Sequence, residues 1–121
     1  MANVISLYQG EYKVFECSIT EDSVALILTG ASIYFAVYRA LPPSSYADDS
    51  NAFIAKSTGS GITITNGASG MFEIEFKKLD TNNLHPGQYN YGIEAILSGY
   101  TDPVVLDVGT IEILASYVRA V

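Results

Sequence analysis

The Pro-Gly pair at positions 86 and 87 leads directly into an alternating segment, Gln88 to Ile93. Successive side chains of a strand point to opposite faces, so Tyr89, Tyr91 and Ile93 share one face. A tight turn followed by such a tyrosine is typical of the corner between the two layers of an antiparallel sandwich, where the tyrosine hydroxyl bonds to the backbone just upstream. We therefore predict that the Tyr89 hydroxyl bonds to the backbone near residues 84–86.

Alternation of apolar and polar residues continues along most of the chain, and no segment of ten or more residues combines a 3.6-residue period with helix caps. Turn signals separate the alternating runs at the spacing expected of a sandwich. We predict an all-β chain, an immunoglobulin-like antiparallel β-sandwich of seven to nine strands. The 121 residues are expected to form one domain, 1–121, with a short apolar tail from about residue 114.

The sandwich must be held together by apolar packing, because the single cysteine, Cys17, excludes a disulfide between the layers. Strand alternation places one set of side chains inward. The predicted core consists of Phe15, Cys17, Ile33, Phe35, Val37, Phe72, Ile74, Phe76, Tyr91, Ile93, Ile111 and Ile113.

Several local features are predicted from changes in this pattern. The segment Asn66 to Gly70 is predicted to form a hairpin turn on its Asn-Gly pair, and residues 79–84 a short helical turn. The longest loop is expected at residues 41–51, which hold the Pro-Pro pair. Shifts of parity predict a bulge at Gly109, and a bulge or a change of sheet near Val14 and Phe15.

Charge limits the classes of partner. Thirteen acidic and six scattered basic residues give a net charge of −7, so we expect no nucleic-acid partner and no binding to anionic membranes. The N-terminal segment has neither the basic residues nor the apolar length of a secretory signal, and no apolar run could span a bilayer. We expect synthesis and folding in a cytoplasm.

Residues suited to catalysis or metal binding are few. The single histidine, His85, precedes a proline in a turn, and Cys17 lies among apolar residues, so we expect no enzymatic activity, no cofactor and no structural zinc. No nucleophile elbow or phosphate-binding glycine loop is present in the sequence. Calcium at Asp48, Asp49 and Asp102 stays open, although their loops lack alternating oxygen ligands.

Tyrosine is the unusual component, with nine residues and no tryptophan. Tyrosine is enriched at protein interfaces, and several tyrosines fall on the outward face of a strand, in a loop or in the apolar tail. The alternative is that each is an ordinary strand residue half covered by its neighbours. The predicted partner-binding residues are Tyr34, Tyr38, Tyr46, Tyr117 and Val118.

The order of turn and core motifs resembles that of small immunoglobulin-like domains of tailed-bacteriophage virions, in particular the N-terminal domain of phage baseplate upper proteins. The motifs that carry the resemblance are Gly10-Glu11, Leu28 to Arg39, Gly61 to Ile64, Asn66 to Gly70, Phe72 to Ile74, Leu84 to Tyr91 and Gly109 to Ile113. The resemblance covers nearly the whole chain and transfers no binding residue.

The resemblance implies a non-enzymatic structural protein located in the virion, in the baseplate, tail or neck or as a capsid decoration. Its expected partners are other virion proteins, and a homo-oligomer stays open. The alternative is a module that binds glycans or the host surface, which exposed tyrosines would also suit.

Overall fold

The computed structural model describes residues 3–38 and 53–116, and these are almost entirely β-structure. The elements are β1 (Asn3–Tyr8), β2 (Lys13–Ser18), β3 (Thr20–Glu21), β4 (Val24–Ala25), β5 (Ser32–Tyr38), β6 (Ile54–Thr58), β7 (Gly61–Asn66), β8 (Met71–Phe76), α1 (Lys78–Thr81), β9 (Gly87–Ile96) and β10 (Val104–Leu114).

Eight strands follow one another in the order β1-β10-β9-β5-β6-β7-β8-β2, and β3 and β4 form a separate ribbon. The link between β6 and β7 is short and parallel, with only two residue pairs. Phe35 on β5 and Phe76 on β8 are three strands apart in this order, about 14 Å in a flat sheet. Their ring centroids are 5.5 Å apart, so the sheet folds over at β6 and β7 into two facing layers.

The layers are β1-β10-β9-β5-β6, here the five-strand layer, and β7-β8-β2, the three-strand layer. Neighbouring strands are antiparallel except at β1 with β10 and at β6 with β7. This arrangement confirms the predicted immunoglobulin-like sandwich.

Ten of the twelve predicted core residues are buried, and the other two, Phe15 and Cys17, are half-buried. Both lie on β2, the last strand in the sheet order, so one flank of each side chain has no neighbouring strand. Both side chains pack against the core as predicted, from its outermost strand. The buried apolar residues that the core prediction did not include are Leu7, Leu28, Ala31, Ile54, Ile62, Tyr89 and Ala95.

The corner tyrosine is confirmed. Tyr89 is buried, and its hydroxyl donates to the carbonyl oxygen of His85 at 2.8 Å. The predicted helical turn is also present, as α1, although it begins one residue earlier and is shorter.

The turn between β7 and β8 is a hairpin, but its residues Gly67–Ser69 form a 3₁₀ turn. Gly70 ends that turn with a φ of 70°, in the left-handed region. A β-carbon at Gly70 would lie 2.5 Å from the carbonyl oxygen of Ile19, so the close approach of the two backbones requires glycine there.

Both predicted bulges are wrong. The pairing of β10 with β9 is regular at Gly109, which lies opposite Tyr91, and the irregularity falls between Val105 and Asp107. The pairing of β2 with β8 is continuous from Lys13 to Ser18, so nothing interrupts the strand at Val14. Tyr12 and Val14 are both exposed, on the side opposite Phe15 and Cys17, so the alternation is regular there. The predicted loop at residues 41–51 lies outside the described residues.

Candidate functional site

The outward side of the five-strand layer is the candidate site. Strand pairing arranges its side chains in three rows that run across the strands. The central row is Val108, Gly92, Ala36 and Ala55; the row on one side is Val105, Glu94, Tyr34 and Ser57; the row on the other side is Val4, Thr110, Asn90 and Tyr38. We call these three rows the five-strand face.

Large apolar side chains are exposed on this face. The exposed fractions are 68% for Val4, 64% for Val105, 54% for Val108 and 40% for Tyr34. The outward side of an antiparallel sheet normally carries polar residues. Glu94 is the one charged residue of the three rows. The three rows therefore carry a single charge in a chain whose net charge is −7, and the next carboxylate on this side of the layer, Glu112, lies two residues beyond Thr110.

Gly92 lies in the middle of β9, at the centre of the five-strand face. Its φ is outside the left-handed region, and a β-carbon built on it would meet no atom within 4 Å. Glycine weakens a strand and often marks a place where another chain or ligand approaches closely. Neither backbone strain nor packing among the described residues accounts for glycine at this position.

The outward side of the three-strand layer is different, because it is acidic. Glu16 on β2 lies directly opposite Glu73 on β8, and Glu75 follows two residues later. The Tyr12 hydroxyl donates to Glu75 Oε2 at 2.8 Å, and this hydrogen bond raises the pKa of Tyr12. Like charges directly opposite each other on a sheet are unfavourable unless the face stays in water. The acidic side is therefore best suited to solvent.

The structure brings two of the five predicted partner-binding residues together. Tyr34 and Tyr38 both lie on the five-strand face, on either side of Ala36, with Tyr34 exposed and Tyr38 half-buried. Tyr46, Tyr117 and Val118 lie outside the described residues.

The start of the predicted apolar tail belongs to the sandwich. Leu114 ends β10, and the Ser116 N–H donates to Gln9 Oε1 at 3.2 Å. The Gln9 side-chain amide also donates to the carbonyl oxygen of Leu84 at 2.6 Å. Residues 114–116 are therefore held against the turns at one end of the layers.

Sequence reasoning missed the three exposed valines of the five-strand face, Val4, Val105 and Val108. On β10 they were missed because the bulge was predicted at Gly109, whereas the irregularity lies between Val105 and Asp107. With the irregularity at Leu106, Val105 and Val108 both point outward, although they are three residues apart. The exposed side chain of Val108 could have been found from the unbroken alternation between Val108 and Ile113.

A shallow groove of about 420 Å³ lies elsewhere, between the β3–β4 ribbon and the loop that joins β9 to β10. Val24, Ile27, Leu97 and Tyr100 supply its apolar lining, and Glu21, Thr29 and Ser98 supply polar groups. Tyr100 is the single aromatic residue of this lining. Sugar rings are usually held between or upon two or more aromatic planes beside polar groups.

The remaining candidates for chemistry are the thiol of Cys17 and the acidic side chains. Burial, and secondarily the charge of Asp107, raises the pKa of the Cys17 thiol to about 11, so it is protonated at neutral pH and a weak nucleophile. The described residues contain no group of three or more His, Cys, Asp and Glu side chains that could hold a metal ion. Asp102 is exposed, and Asp48 and Asp49 lie outside the described residues.

Comparison with models of known protein families gives no match for this chain, and comparison with curated proteins gives none either. In the described part of the chain, no helix is both long and apolar enough to cross a bilayer. The fold and the two contrasting outer faces therefore define the class of protein, an immunoglobulin-like sandwich with one apolar and one acidic side.

Proposed function

We propose that this protein is a non-enzymatic structural component of a tailed-bacteriophage virion and that it acts through protein–protein contacts made by the five-strand face. The single observation that carries the contact role is the exposure of Val4, Val105 and Val108 on the same face as Tyr34. An isolated sandwich loses solubility by exposing such residues together, whereas a protein held in an assembly buries them. The virion setting is supported by the resemblance of the turn and core motifs alone.

The charge distribution supports a role that depends on assembly. The acidic side, with Glu16, Glu73 and Glu75, keeps one surface hydrated while the opposite surface is covered. Net negative charge also limits indiscriminate association before a partner arrives. In this proposal the chain is made in the host cytoplasm and is then incorporated into the particle with other virion proteins.

A glycan- or host-surface-binding module is the second candidate, and the groove beside Tyr100 is the observation that favours it. Its polar groups, Glu21, Thr29 and Ser98, could receive sugar hydroxyls. The five-strand face exposes four large apolar or aromatic side chains, Val4, Val105, Val108 and Tyr34, and the groove exposes three, Val24, Ile27 and Tyr100. We therefore place the principal function on the five-strand face.

The experiment is an inventory of purified virions by mass spectrometry, followed by incorporation assays with two arginine variants. Gly92→Arg puts a charge at the centre of the five-strand face, where there is open space for the side chain. Thr63→Arg puts the same charge on the acidic side, opposite Glu73, as the matched control. We expect the parent and Thr63→Arg proteins in particles and Gly92→Arg to be depleted.

Two results would contradict the proposal. Absence of the parent protein from purified particles removes the virion role. Equal incorporation of Gly92→Arg and Thr63→Arg removes the five-strand face from that role. Binding of glycans that is abolished by Tyr100→Ala would favour the second candidate instead.

A further inference from the structure

We infer that the free edge of β2 binds an extended segment of a partner protein as an added antiparallel strand, and that this segment alternates apolar and basic residues. The site is distinct from the five-strand face, because β2 belongs to the other layer. Three features of the edge support it: the backbone groups of β2, the unequal widths of the two layers and the charges beside the strand.

The backbone of β2 has groups directed to its outer edge. Among the described residues β2 pairs with β8 alone, and the N–H of Ile19 donates to the carbonyl oxygen of Gly70 in the same antiparallel register. Every second residue back from Ile19 therefore bonds to β8. The residues between them, Val14, Glu16 and Ser18, direct their N–H and C=O groups away from the sheet. β2 has no proline and no bulge, which are devices that commonly protect an edge.

The edge at the other end of the strand order, β1, is less suited to a further strand. The Tyr8 N–H donates to Glu11 Oε1 at 2.9 Å, and the Glu11 N–H donates to the carbonyl oxygen of Tyr8 at 3.1 Å. The turn after β1 thus occupies the edge groups of its last residue. β1 also carries no charged residue that would select a charged partner.

The two layers differ in width, and the wider one extends beyond β2. The rings of Phe35 on β5 and Phe76 on β8 are in contact, so β9 lies over β2, and β10 and β1 reach past it. The charge of Asp107 on β10 contributes to the raised pKa of Cys17 on β2, which agrees with this placement. An added strand beside β2 therefore faces the inner side of β10 and β1.

The inner surface along this strip is apolar and incompletely covered. Ile5 on β1 and Leu106 on β10 are half-buried, although both pack against the core. Phe15 and Cys17 on β2 are half-buried as well. The inward side chains of an added strand would cover these residues, and alternate residues of the bound segment are therefore apolar.

Charge selects the outward residues of the segment. Glu16 lies opposite Glu73, and among the described residues neither carboxylate forms an ion pair, whereas Lys77 lies 3.7 Å from Glu75. Lys13, the one basic residue of β2, places its ammonium over an aromatic ring on the inner side. A lysine or arginine opposite Glu16 on the added strand offsets the repulsion within this acidic row and stays in water.

The same charges disfavour a second copy of the chain at this edge. Two β2 strands paired with each other would bring Glu16 and Glu73 of one chain beside the same residues of the other. Like charges on neighbouring strands are unfavourable, and each chain has a net charge of −7. A basic segment meets opposite charge at the same place, so a basic partner is the better occupant.

Amide hydrogen exchange of the full chain, followed by NMR, tests the inference with a short synthetic peptide in which valine and lysine alternate. Exchange of the Val14, Glu16 and Ser18 amides should slow by at least about tenfold when the peptide is bound. The amides of Phe15 and Cys17 already bond to β8 and should change little. Absence of this protection would overturn the inference. Protection of the three edge amides in the concentrated chain without peptide would assign the edge to a second copy and would also overturn it.

Two control peptides separate strand pairing from attraction between charges. One groups the same valines and lysines into two blocks. The other is N-methylated at its lysines, which lie opposite the edge-directed residues of β2 and exchange backbone hydrogen bonds with them. The alternating peptide should bind with a dissociation constant on the order of 10–100 μM, and both controls at least about tenfold more weakly. Equal affinity of the three peptides would contradict an added strand.

A reversal of charge at the edge tests the choice of partner. Glu16→Lys faces Glu73 favourably within the sheet, so the fold is kept, and circular dichroism verifies this. The variant should bind the valine–lysine peptide at least about tenfold more weakly and should gain affinity for a peptide of alternating valine and glutamate. Glu94→Lys makes the same change of net charge on the other layer and should bind as the parent does. Equal losses in both variants would show that overall charge, and not the edge of β2, attracts the peptide.

The results separate this inference from the proposed function. A chain that is present in virions but binds no peptide refutes the added strand and keeps the virion role. Peptide binding at β2 by a chain that is absent from virions keeps the added strand and refutes that role.

Discussion

The hydroxyl of Tyr89 donates to the carbonyl oxygen of His85 at 2.8 Å, across a corner of four residues. The ring of Tyr89 is buried, and Phe53 packs edge-on against it with a centroid distance of 5.5 Å. One side chain thus joins the turn that precedes β9 to Phe53, the residue directly before β6. The hydrogen bond fixes where β9 begins and hence the register of the five-strand face.

Tyr89→Phe should destabilise the fold by about 0.5–1.5 kcal/mol, because it removes one internal hydrogen bond and keeps the ring. Urea denaturation followed by circular dichroism measures this difference. Tyr100→Phe, at an exposed tyrosine, is the control and should change the free energy of unfolding by less than about 0.5 kcal/mol. Equal effects of the two substitutions would show that the corner bond contributes nothing.

Phe35→Ala should cost on the order of 3–5 kcal/mol, because Phe35 is fully buried between the layers and contacts Phe76 and Tyr91. Phe15→Ala removes the same number of atoms from the half-buried edge strand β2 and should cost clearly less. The measurement is chemical denaturation of both variants. A larger loss with Phe15→Ala would place the centre of the core nearer β2 than the structure does.

Strand alternation was sufficient to predict most of the core, because a residue on the inward side of a central strand has neighbours on both flanks. It placed Phe15 and Cys17 on the core side but did not show that they are only half-buried, since the sequence does not show which strand is outermost in a layer. It failed at Gly109, because the irregularity of β10 falls between Val105 and Asp107, where no glycine marks it. Strand order and bulge position depend on pairing, which composition does not encode.

The candidate site was predicted only in part for a related reason. Tyr34 and Tyr38 share a face through alternation within one strand, and this part is local. The exposed Val4 and Val108 join that face through the pairing of β1 with β10 and of β10 with β9. Contacts between strands far apart in sequence were therefore needed to define the surface.

The ion pair between Lys56 and Asp80 predicts which of two substitutions destabilises the chain more. Lys56 Nζ lies 2.6 Å from Asp80 Oδ2, with exposed side-chain fractions of 10% and 22%, and the Lys77 N–H also donates to that oxygen at 2.7 Å. Asp80→Ala leaves a nearly buried ammonium unpaired and removes the acceptor at the start of α1. We expect a loss of about 1–3 kcal/mol, reduced by the partial exposure of the carboxylate.

Lys56→Met should cost less, within about 1 kcal/mol, because the thioether side chain keeps packing near Phe76 and Asp80 keeps its backbone donor. Thermal and urea unfolding of the two variants give the comparison. A larger loss of stability with Lys56→Met than with Asp80→Ala would contradict this prediction. It would mean that the attraction between the two charges stabilises the fold, rather than that the carboxylate only prevents an unpaired buried ammonium.

Cys17 should make stability depend on pH in the alkaline range. Its pKa rises from an ordinary 9.0 to about 11 in the folded chain, so folding favours the neutral thiol. That contribution is fully present below pH 9 and is lost as the pH rises to about 11. The difference in free energy of unfolding between the parent and Cys17→Ala should therefore shrink from pH 8 to pH 11.

Alkylation by iodoacetamide provides a parallel readout for the same thiol. At pH 9 the folded chain should react more slowly than the urea-unfolded chain, because less thiolate is present. Equal rates in the two states, together with a pH-independent difference from Cys17→Ala, would mean that burial does not perturb the thiol.

Glycine in the turn between β3 and β4 should increase the free energy of unfolding. Asp22 and Ser23 both adopt positive φ, 52° and 67°, in the two-residue turn between paired Glu21 and Val24. Such a turn favours glycine at its second position, since a β-carbon is strained there. Ser23→Gly should stabilise the chain by roughly 0.5 kcal/mol, because the relief of strain exceeds the added freedom of the unfolded chain.

Ser18→Gly is the control, since it makes the same change in the extended strand β2. It should destabilise the chain by about 0.5–1 kcal/mol. Denaturation curves that shift in the same direction for both variants would show that the left-handed backbone at Ser23 carries no strain.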